Sequence, residues 1–266
     1  MQPAFPVVAI LLIGPALSPA AHLTQPAADA FGSYVTNLEA RLARARVTPD
    51  PGTDRERELL AGVVRIEPVN GGSWEAGGGL LHHWRAAALV PGAGLNDVLA
   101  LLRDYSRLPR YYAPEVVSAQ ALTDGGRKAV AMRFKKRQII TIVLDAEFET
   151  ESGLAGSRRG YSFSRSTHIW QVDQPGTAHE RRRAEGEDDG FLWRLNSYWS
   201  FEQRPDGLLM ECDAVSLTRD VPAALGWLIR PIVKALPRAS LEFTLTATKK
   251  ALAANGAGRD TDDRAN

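Results

Sequence analysis

Two stretches decide how this chain is read: residues 98–117, VLALLRDYSRLPRYYAPEVV, and residues 226–252, GWLIRPIVKALPRASLEFTLTATKKAL. Leu95, Val98, Leu99 and Leu102 make one apolar face of a short helix, with Asn96 or Asp97 in its first turn. Leu108-Pro109 restarts the chain, and Ala113-Pro114 ends the helical run before an extended segment over 115–122. The closing stretch, after Asp220-Val221-Pro222, is helical, with Leu241, Leu245, Thr248 and Leu252 on one face. Pro237 suits a first turn or a kink, because it lacks the amide donor a helix interior needs. Between positions 237 and 252 such a helix runs about 24 Å, enough to cross a sheet.

Between these stretches the pattern is strand after strand. KAVAMRF (128–134), IITIVLDAEFET (139–150), YSFSRSTHIWQV (161–172), FLWRLNSYWSFEQ (191–203) and LLMECDAVSLT (208–218) are each bounded by Gly, Pro, Asp or a charge cluster. That spacing predicts an antiparallel meander. Upstream, 63–67 reads as a strand ended by Asn70-Gly71-Gly72, and LLHHWRAAALV (80–90) as another, closed by Pro91-Gly92. Phe31, Tyr34, Val35, Leu38, Leu42 and Ala45 recur at helical spacing over 29–46, and Thr48-Pro49-Asp50-Pro51-Gly52 breaks that helix as a linker.

The chain has 266 residues, 44% of them hydrophobic and 24% charged, which suits a soluble globular protein with a substantial core. Lys and Arg total 32 against 31 Asp and Glu, so no net field draws the chain to nucleic acid. A single cysteine, Cys212, excludes a disulfide framework and a Cys-based zinc site, and its setting is that of a small core residue. The apolar run 7–17, followed by Ser18-Pro19-Ala20-Ala21, has the length of a signal-peptide core and falls short of a membrane span. No Lys or Arg precedes Arg41; an uncleaved N-terminal helix is the alternative. The expectation is a periplasmic or secreted protein whose mature sequence starts near Ala21 or His22.

A strand, two short helices, six strands and a long closing helix describe an α+β fold. The order resembles the START/polyketide-cyclase/coenzyme Q-binding superfamily (SRPBCC), the helix-grip fold: a curved antiparallel β-sheet wrapped around a long C-terminal α-helix. The resemblance covers roughly 80–252, and its most specific pieces are Asp104-Tyr105 and Tyr112-Ala113-Pro114-Glu115-Val116-Val117. The organisation expected is a signal peptide (1–21), an N-terminal helical extension and linker (22–58), the START-like domain (59–252) and a disordered tail (253–266). The resemblance implies an apolar cavity between sheet and helix, and a hydrophobic small molecule or lipid as its occupant. Members of the superfamily include both binders and enzymes.

Alternation along the strands predicts which residues face that cavity. Trp193, Leu195, Trp199 and Phe201 share one face, as do Met210, Cys212, Ala214 and Ser216, and Val130, Met132 and Phe134. Trp84 and Trp227 suit its mouth. Trp84, Met132, Phe134, Trp193, Trp199, Met210 and Trp227 are therefore the apolar ligand-binding candidates, although aromatics in such a set can also simply fill a core. Glu147, Arg165 and His168 are the polar candidates, to anchor a head group or do acid–base work from inside; on the outer face they would be salt-bridged surface residues.

Binding or transport of a lipid-, quinone- or polyketide-like ligand is the favoured function. A cyclase- or hydrolase-type enzyme using Glu147, Arg165 or His168 is one alternative. A partner-binding envelope module, docked through the N-terminal helix and the basic turn Lys135-Lys136-Arg137, is the other. The same turn suits peripheral contact with anionic lipid head groups. Arg181-Arg182-Arg183 is balanced by Glu185, Glu187, Asp188 and Asp189 and reads as a solvated loop. His82 and His83 point to opposite faces of one strand, and the other histidines lack metal-ligand spacing. No nucleophile elbow or phosphate-cradling glycine loop is present. No catalytic residue, metal or cofactor is assigned.

Overall fold

The computed structural model of the protein describes residues 22–44, 54–124, 127–137, 141–184, 187–220 and 223–262, without the side chains of 44, 123, 124, 127, 223–232 and 255–262. The elements run α1 (Gln25–Arg44), α2 (Asp54–Leu60), β1 (Arg65–Ala76), β2 (Gly79–Val90), α3 (Leu95–Arg103), a 3-10 turn (Tyr105–Arg107), α4 (Leu108–Tyr111), β3 (Val116–Asp124), β4 (Arg127–Arg137), β5 (Thr141–Leu154), β6 (Arg159–Asp173), β7 (Arg181–Arg182), β8 (Arg194–Arg204), β9 (Gly207–Arg219) and α5 (Ala223–Asp262). All the strands pair antiparallel in one open, curved sheet, ordered β1-β2-β9-β8-β6-β5-β4-β3, with β7 added to β6.

The sequence folds this way because β2 is apolar on both faces, which suits a strand covered from both sides. On the concave side Ala86, Ala88 and Val90 join Trp199, Phe201, Met210 and Cys212 under Leu241, Leu245 and Leu252 of α5. On the convex side Leu81, Tyr198, Val215 and Leu217 pack against Ala27, Phe31 and Leu38 of α1. Leu59 of α2 covers Ala87, Leu89 and Leu209 on that same convex side. The sheet is thus sandwiched, with α5 inside its curve and α1 and α2 outside.

The closing helix is held from both edges of the sheet. It packs mainly along β2, with lesser contact to β1, β9, α3 and α4. From the opposite edge, the Tyr112 hydroxyl meets Thr248 Oγ1 at 2.8 Å, and Lys136 pairs with Glu115 and donates to Ser240 Oγ at 2.9 Å. Burial pushes the Tyr112 phenol up to about 12, so it stays a neutral hydrogen-bonding group. This is the helix-grip arrangement, reached here from the chain's own packing.

Four features differ from the sequence-based expectation. A second helix, α2 (Asp54–Leu60), straddles the expected boundary at 58/59, where only one helix and a linker were expected before the domain. Strand β1 continues through Asn70-Gly71-Gly72 to Ala76, because positive φ at those three residues absorbs an irregularity between Pro68 and Ser73 and the ladder resumes. The two-residue β7 places Arg181 and Arg182 in a strand rather than a free loop. Helix α5 reaches Asp262, so the expected disordered tail is helical as far as it is described, although Asn255, Gly256 and Gly258 are poor helix formers. The proposed signal segment 1–21 and the linker 48–52 lie outside the described residues.

The start of α1 is fixed by close backbone approach. Thr24 Oγ1 accepts the Ala27 N–H at 3.3 Å and donates to the Gly77 carbonyl at 2.8 Å. A Cβ at Gly77, where φ is +61°, would lie 2.4–2.5 Å from the Pro26–Ala27 backbone. Glycine is what lets the β1–β2 turn touch the helix.

Candidate functional site

The candidate site is the concave surface of the middle strands, opposite α5. Cross-strand register puts Thr150, Ser164 and Ser197 in one row, and Phe148 beside Ser166 in the next. Val130, Ala146 and Phe148 are buried there, whereas Met132, Phe134, Leu144, Ile169 and Leu195 are only half-buried. Phe134 meets Phe148 edge-to-face with ring centroids 6.0 Å apart. Ser166 Oγ accepts the Leu195 N–H at 2.9 Å; Ser162, Ser164 and Ser197 make no side-chain hydrogen bond among the described residues. The surface is therefore apolar at its floor and dotted with free hydroxyls. It can hold a ligand by contact area and offer scattered hydrogen bonds along it.

Most of the expected apolar residues reach this side. Trp84, Met132, Phe134, Trp199 and Met210 all belong to concave clusters. Trp193 does not: it packs with Leu81, Leu217 and α1 on the convex side, and its indole donates to Asp188 Oδ1 at 3.2 Å. It precedes the first laddered residue of β8, Arg194, so strand alternation does not govern it. The Trp227 side chain lies outside the described residues.

The three polar candidates are on the convex face instead. Glu147 and His168 are register partners beside Asp145 and Trp170, with His168 Nδ1 3.9 Å from Glu147 Oε2 and its ring stacked on Trp170 at 5.1 Å. Arg165 donates to Glu39 of α1 at 2.6 Å. An irregularity at Thr167 in β6 explains the outcome, since it lets positions 165 and 168, of opposite parity, face the same way. At the β4–β5 end, Lys135 and Arg137 are exposed, while Lys136 is engaged by Glu115 and Ser240.

The two histidines that the fold buries completely lie side by side on β2, one on each face. On the convex face, His83 bridges Tyr34 Oη of α1 and Asp213 Oδ1, each at 2.7 Å, and Arg85 completes the network on Asp213. Burial pushes the Asp213 carboxyl up, but the His83 hydrogen bond and the Arg85 guanidinium outweigh it and hold the group below its ordinary range. On the concave face, His82 is fully buried, with Nδ1 2.7 Å from Ser73 Oγ and Nε2 3.0 Å from Thr218 Oγ1. Burial, helped by the nearby Lys234 ammonium, lowers His82 to about 4, so its ring is neutral. Cys212 is a buried core thiol, pushed up by burial. These pairings come from residues far apart in sequence, and the only local signal was a double histidine in an apolar strand.

Two surface depressions, of about 380 Å³ beside Ala93 and Arg204 and about 550 Å³ along Ala28 and Thr36 of α1, lie away from the concave surface. Among the described residues no helix is long and apolar enough to cross a membrane.

No family model matches the sequence, and no curated protein matches it significantly. Solved structures do resemble it. A STAR-related lipid transfer protein from Xanthomonas axonopodis is 15% identical, with a TM-score of 0.41 over 71% of this chain and 98% of that one. The Zhui aromatase/cyclase from Streptomyces sp. R1128 is 14% identical, with a TM-score of 0.44 over 67% of this chain and 95% of that one. A START superfamily protein from Mycobacterium smegmatis is 15% identical, with a TM-score of 0.40 over 65% of this chain and 96% of that one.

Proposed function

We propose that the protein binds a hydrophobic small molecule, of lipid, quinone or polyketide type, between α5 and the concave face of the middle strands, and does so in the cell envelope. The observation that carries the reading is the half-burial of Met132, Phe134, Leu144, Ile169 and Leu195 on the inside of a curved sheet. A core built only for stability buries such side chains fully, so an apolar surface left partly open inside a fold suits a ligand. The envelope location rests on the apolar run 7–17 and the small residues after it. Exposed Lys135 and Arg137, near the side of α5, suit transient contact with anionic lipid during loading.

Binding is favoured over catalysis because Glu147, Arg165 and His168 face away from the gap, with Arg165 committed to Glu39. The test is native mass spectrometry of protein purified from its own host, followed by solvent extraction of any bound molecule. A co-purified apolar ligand supports the reading. A ligand-free protein that also fails to take up the neutral dye N-phenyl-1-naphthylamine overturns it.

A further inference from the structure

One turn of the chain lies over the ligand gap and is held to the sheet by side chains. Residues 103–107 join α3 to α4 through the 3-10 turn. Buried anchors stand on either side of it. Leu99 and Leu101 of α3 are in the core with Leu241 and Leu245 of α5, and Leu108 is buried with Tyr112 and Val116. Between the anchors the backbone bonds are local: the Asp104 N–H donates to the Ala100 carbonyl and the Arg107 N–H to the Asp104 carbonyl. Among the described residues, no backbone hydrogen bond runs from 103–107 to the sheet. A short 3-10 stretch between two α-helical segments has the poorer hydrogen-bond geometry of a hinge.

The contacts of the turn are with the concave face and the strand β5. The Tyr105 ring packs against the floor cluster of Val130, Ala146 and Phe148, where Met132, Phe134, Ile169 and Leu195 also pack. Its hydroxyl lies 2.9 Å from Thr150 Oγ1, which itself donates to the Lys128 carbonyl at 3.3 Å, so the phenol is the donor to Thr150. Arg103 Nε donates to Ser152 Oγ at 2.9 Å, and Nη2 to the Ser152 carbonyl at 3.0 Å. Thr150 and Ser152 hold alternate positions on β5 and share the concave face with Phe148. Arg103, Ser106 and Arg107 are exposed, and Tyr105 is half-buried. Water replaces such hydrogen bonds at little net cost, so opening the turn requires mainly that the Tyr105 ring leave the floor.

We propose that the turn 103–107 is the gate of the gap: Tyr105 swings off Thr150 to admit a hydrophobic ligand and returns to cover it. Leu101 and Leu108 stay in place, and the residues between them move. A permanent cover is sealed by buried apolar side chains or a backbone ladder, as α5 is by Leu241, Leu245 and Leu252. The turn has neither, yet it stands over the floor that a ligand must reach. The inference rests on the proposed ligand gap and adds to it the way in.

The experiment is stopped-flow uptake and release of N-phenyl-1-naphthylamine by the full chain, by Arg103→Gln, and by the pair Arg103→Cys and Ser152→Cys before and after linking with a short bismaleimide. Cys212 is buried in the core, so the two introduced thiols are the reactive ones. Linking should slow uptake and release alike, by about tenfold or more. Arg103→Gln should speed both by about fivefold, the population change that one lost hydrogen bond supplies, and so leave the affinity unchanged. Needing no linker, it keeps the test valid if the cysteine pair folds poorly. Linked protein that fills and empties as fast as unlinked protein would overturn the gate and move entry to the end of the gap near Lys135 and Arg137. Rates for Arg103→Gln equal to those of the unaltered protein would overturn it too. Either result leaves the gap intact as long as the dye binds at equilibrium; no binding by the unaltered protein would overturn the gap, and the gate with it.

Discussion

Glu39 of α1 accepts the Arg165 Nε–H at 2.6 Å across the convex face, and the same carboxylate oxygen accepts the Tyr198 hydroxyl at 2.8 Å. This contact fixes α1 to β6 and β8 and engages the Arg165 guanidinium on the convex face. Both charged groups are about a third exposed, at 32% each, so solvent screens much of their attraction. Glu39→Gln should therefore lower stability by only about 1 kcal/mol. It should leave dye uptake unchanged. Urea midpoints and N-phenyl-1-naphthylamine titration measure the two effects separately, and a loss of uptake would place the convex network within the binding site.

His82 gives the protein an acid sensitivity with a definite window. Its folded pKa, about 4, lies below the unfolded value of 6.5. Between those values the unfolded chain binds the proton and the folded chain does not. The contribution to stability is thus complete above pH 6.5 and is lost as pH falls from there to about 4. The shift corresponds to about 3 kcal/mol. His82→Gln should flatten this part of the stability profile and leave the steeper loss at lower pH, where Asp213 and the other carboxylates titrate. Urea denaturation at a series of pH values decides it; a profile unchanged in slope between pH 6.5 and 4 would show that the folded ring is protonated as easily as the unfolded one.

The period of the apolar residues made much of this fold readable. Leu241, Leu245, Thr248 and Leu252 repeat on one face of a helix, and all four are buried against the sheet. Met132, Phe134, Trp199 and Met210 alternate in register and do face inward. Alternation failed where the backbone leaves the regular ladder: at Thr167, which brings Arg165 and His168 to one face, and at Trp193, which stands before its strand begins. The convex layer was hidden for a different reason. Tyr34, His83 and Asp213 become neighbours only when α1 folds over β2 and β9, and no local spacing encodes a contact between positions 130 residues apart.

The grip on α5 should depend on single leucines. Leu245 is fully buried in the cluster that includes Met210 and Trp199. Truncating it removes apolar contact and leaves a cavity, so Leu245→Ala should cost about 2–5 kcal/mol. Glu242→Ala, on the exposed side of the same helix, should change stability by less than about 1 kcal/mol, since its partner Arg238 is a half-exposed surface pair. Equal denaturant midpoints for the two variants would mean that the helix is not held by this face.

Leu195 and Glu147 separate the two faces of the middle strands most directly. Leu195 stands half-buried on the concave side, opposite Ser216 and next to the Ser166 hydroxyl. Glu147 stands on the other side of the sheet, beside His168. Leu195→Asp places a charge on the surface that an apolar ligand must cover, and desolvating that charge opposes binding by several kcal/mol. Uptake of N-phenyl-1-naphthylamine should fall at least tenfold. Because Leu195 is already partly open, the folded state should lose far less than it would from a charge in the sealed core around Met210. Glu147→Gln removes a charge that no concave ligand touches, and its titration should overlay that of the unaltered protein. If Glu147→Gln abolished uptake and Leu195→Asp did not, the ligand surface would be the convex one, and the gap under α5 would be packing alone.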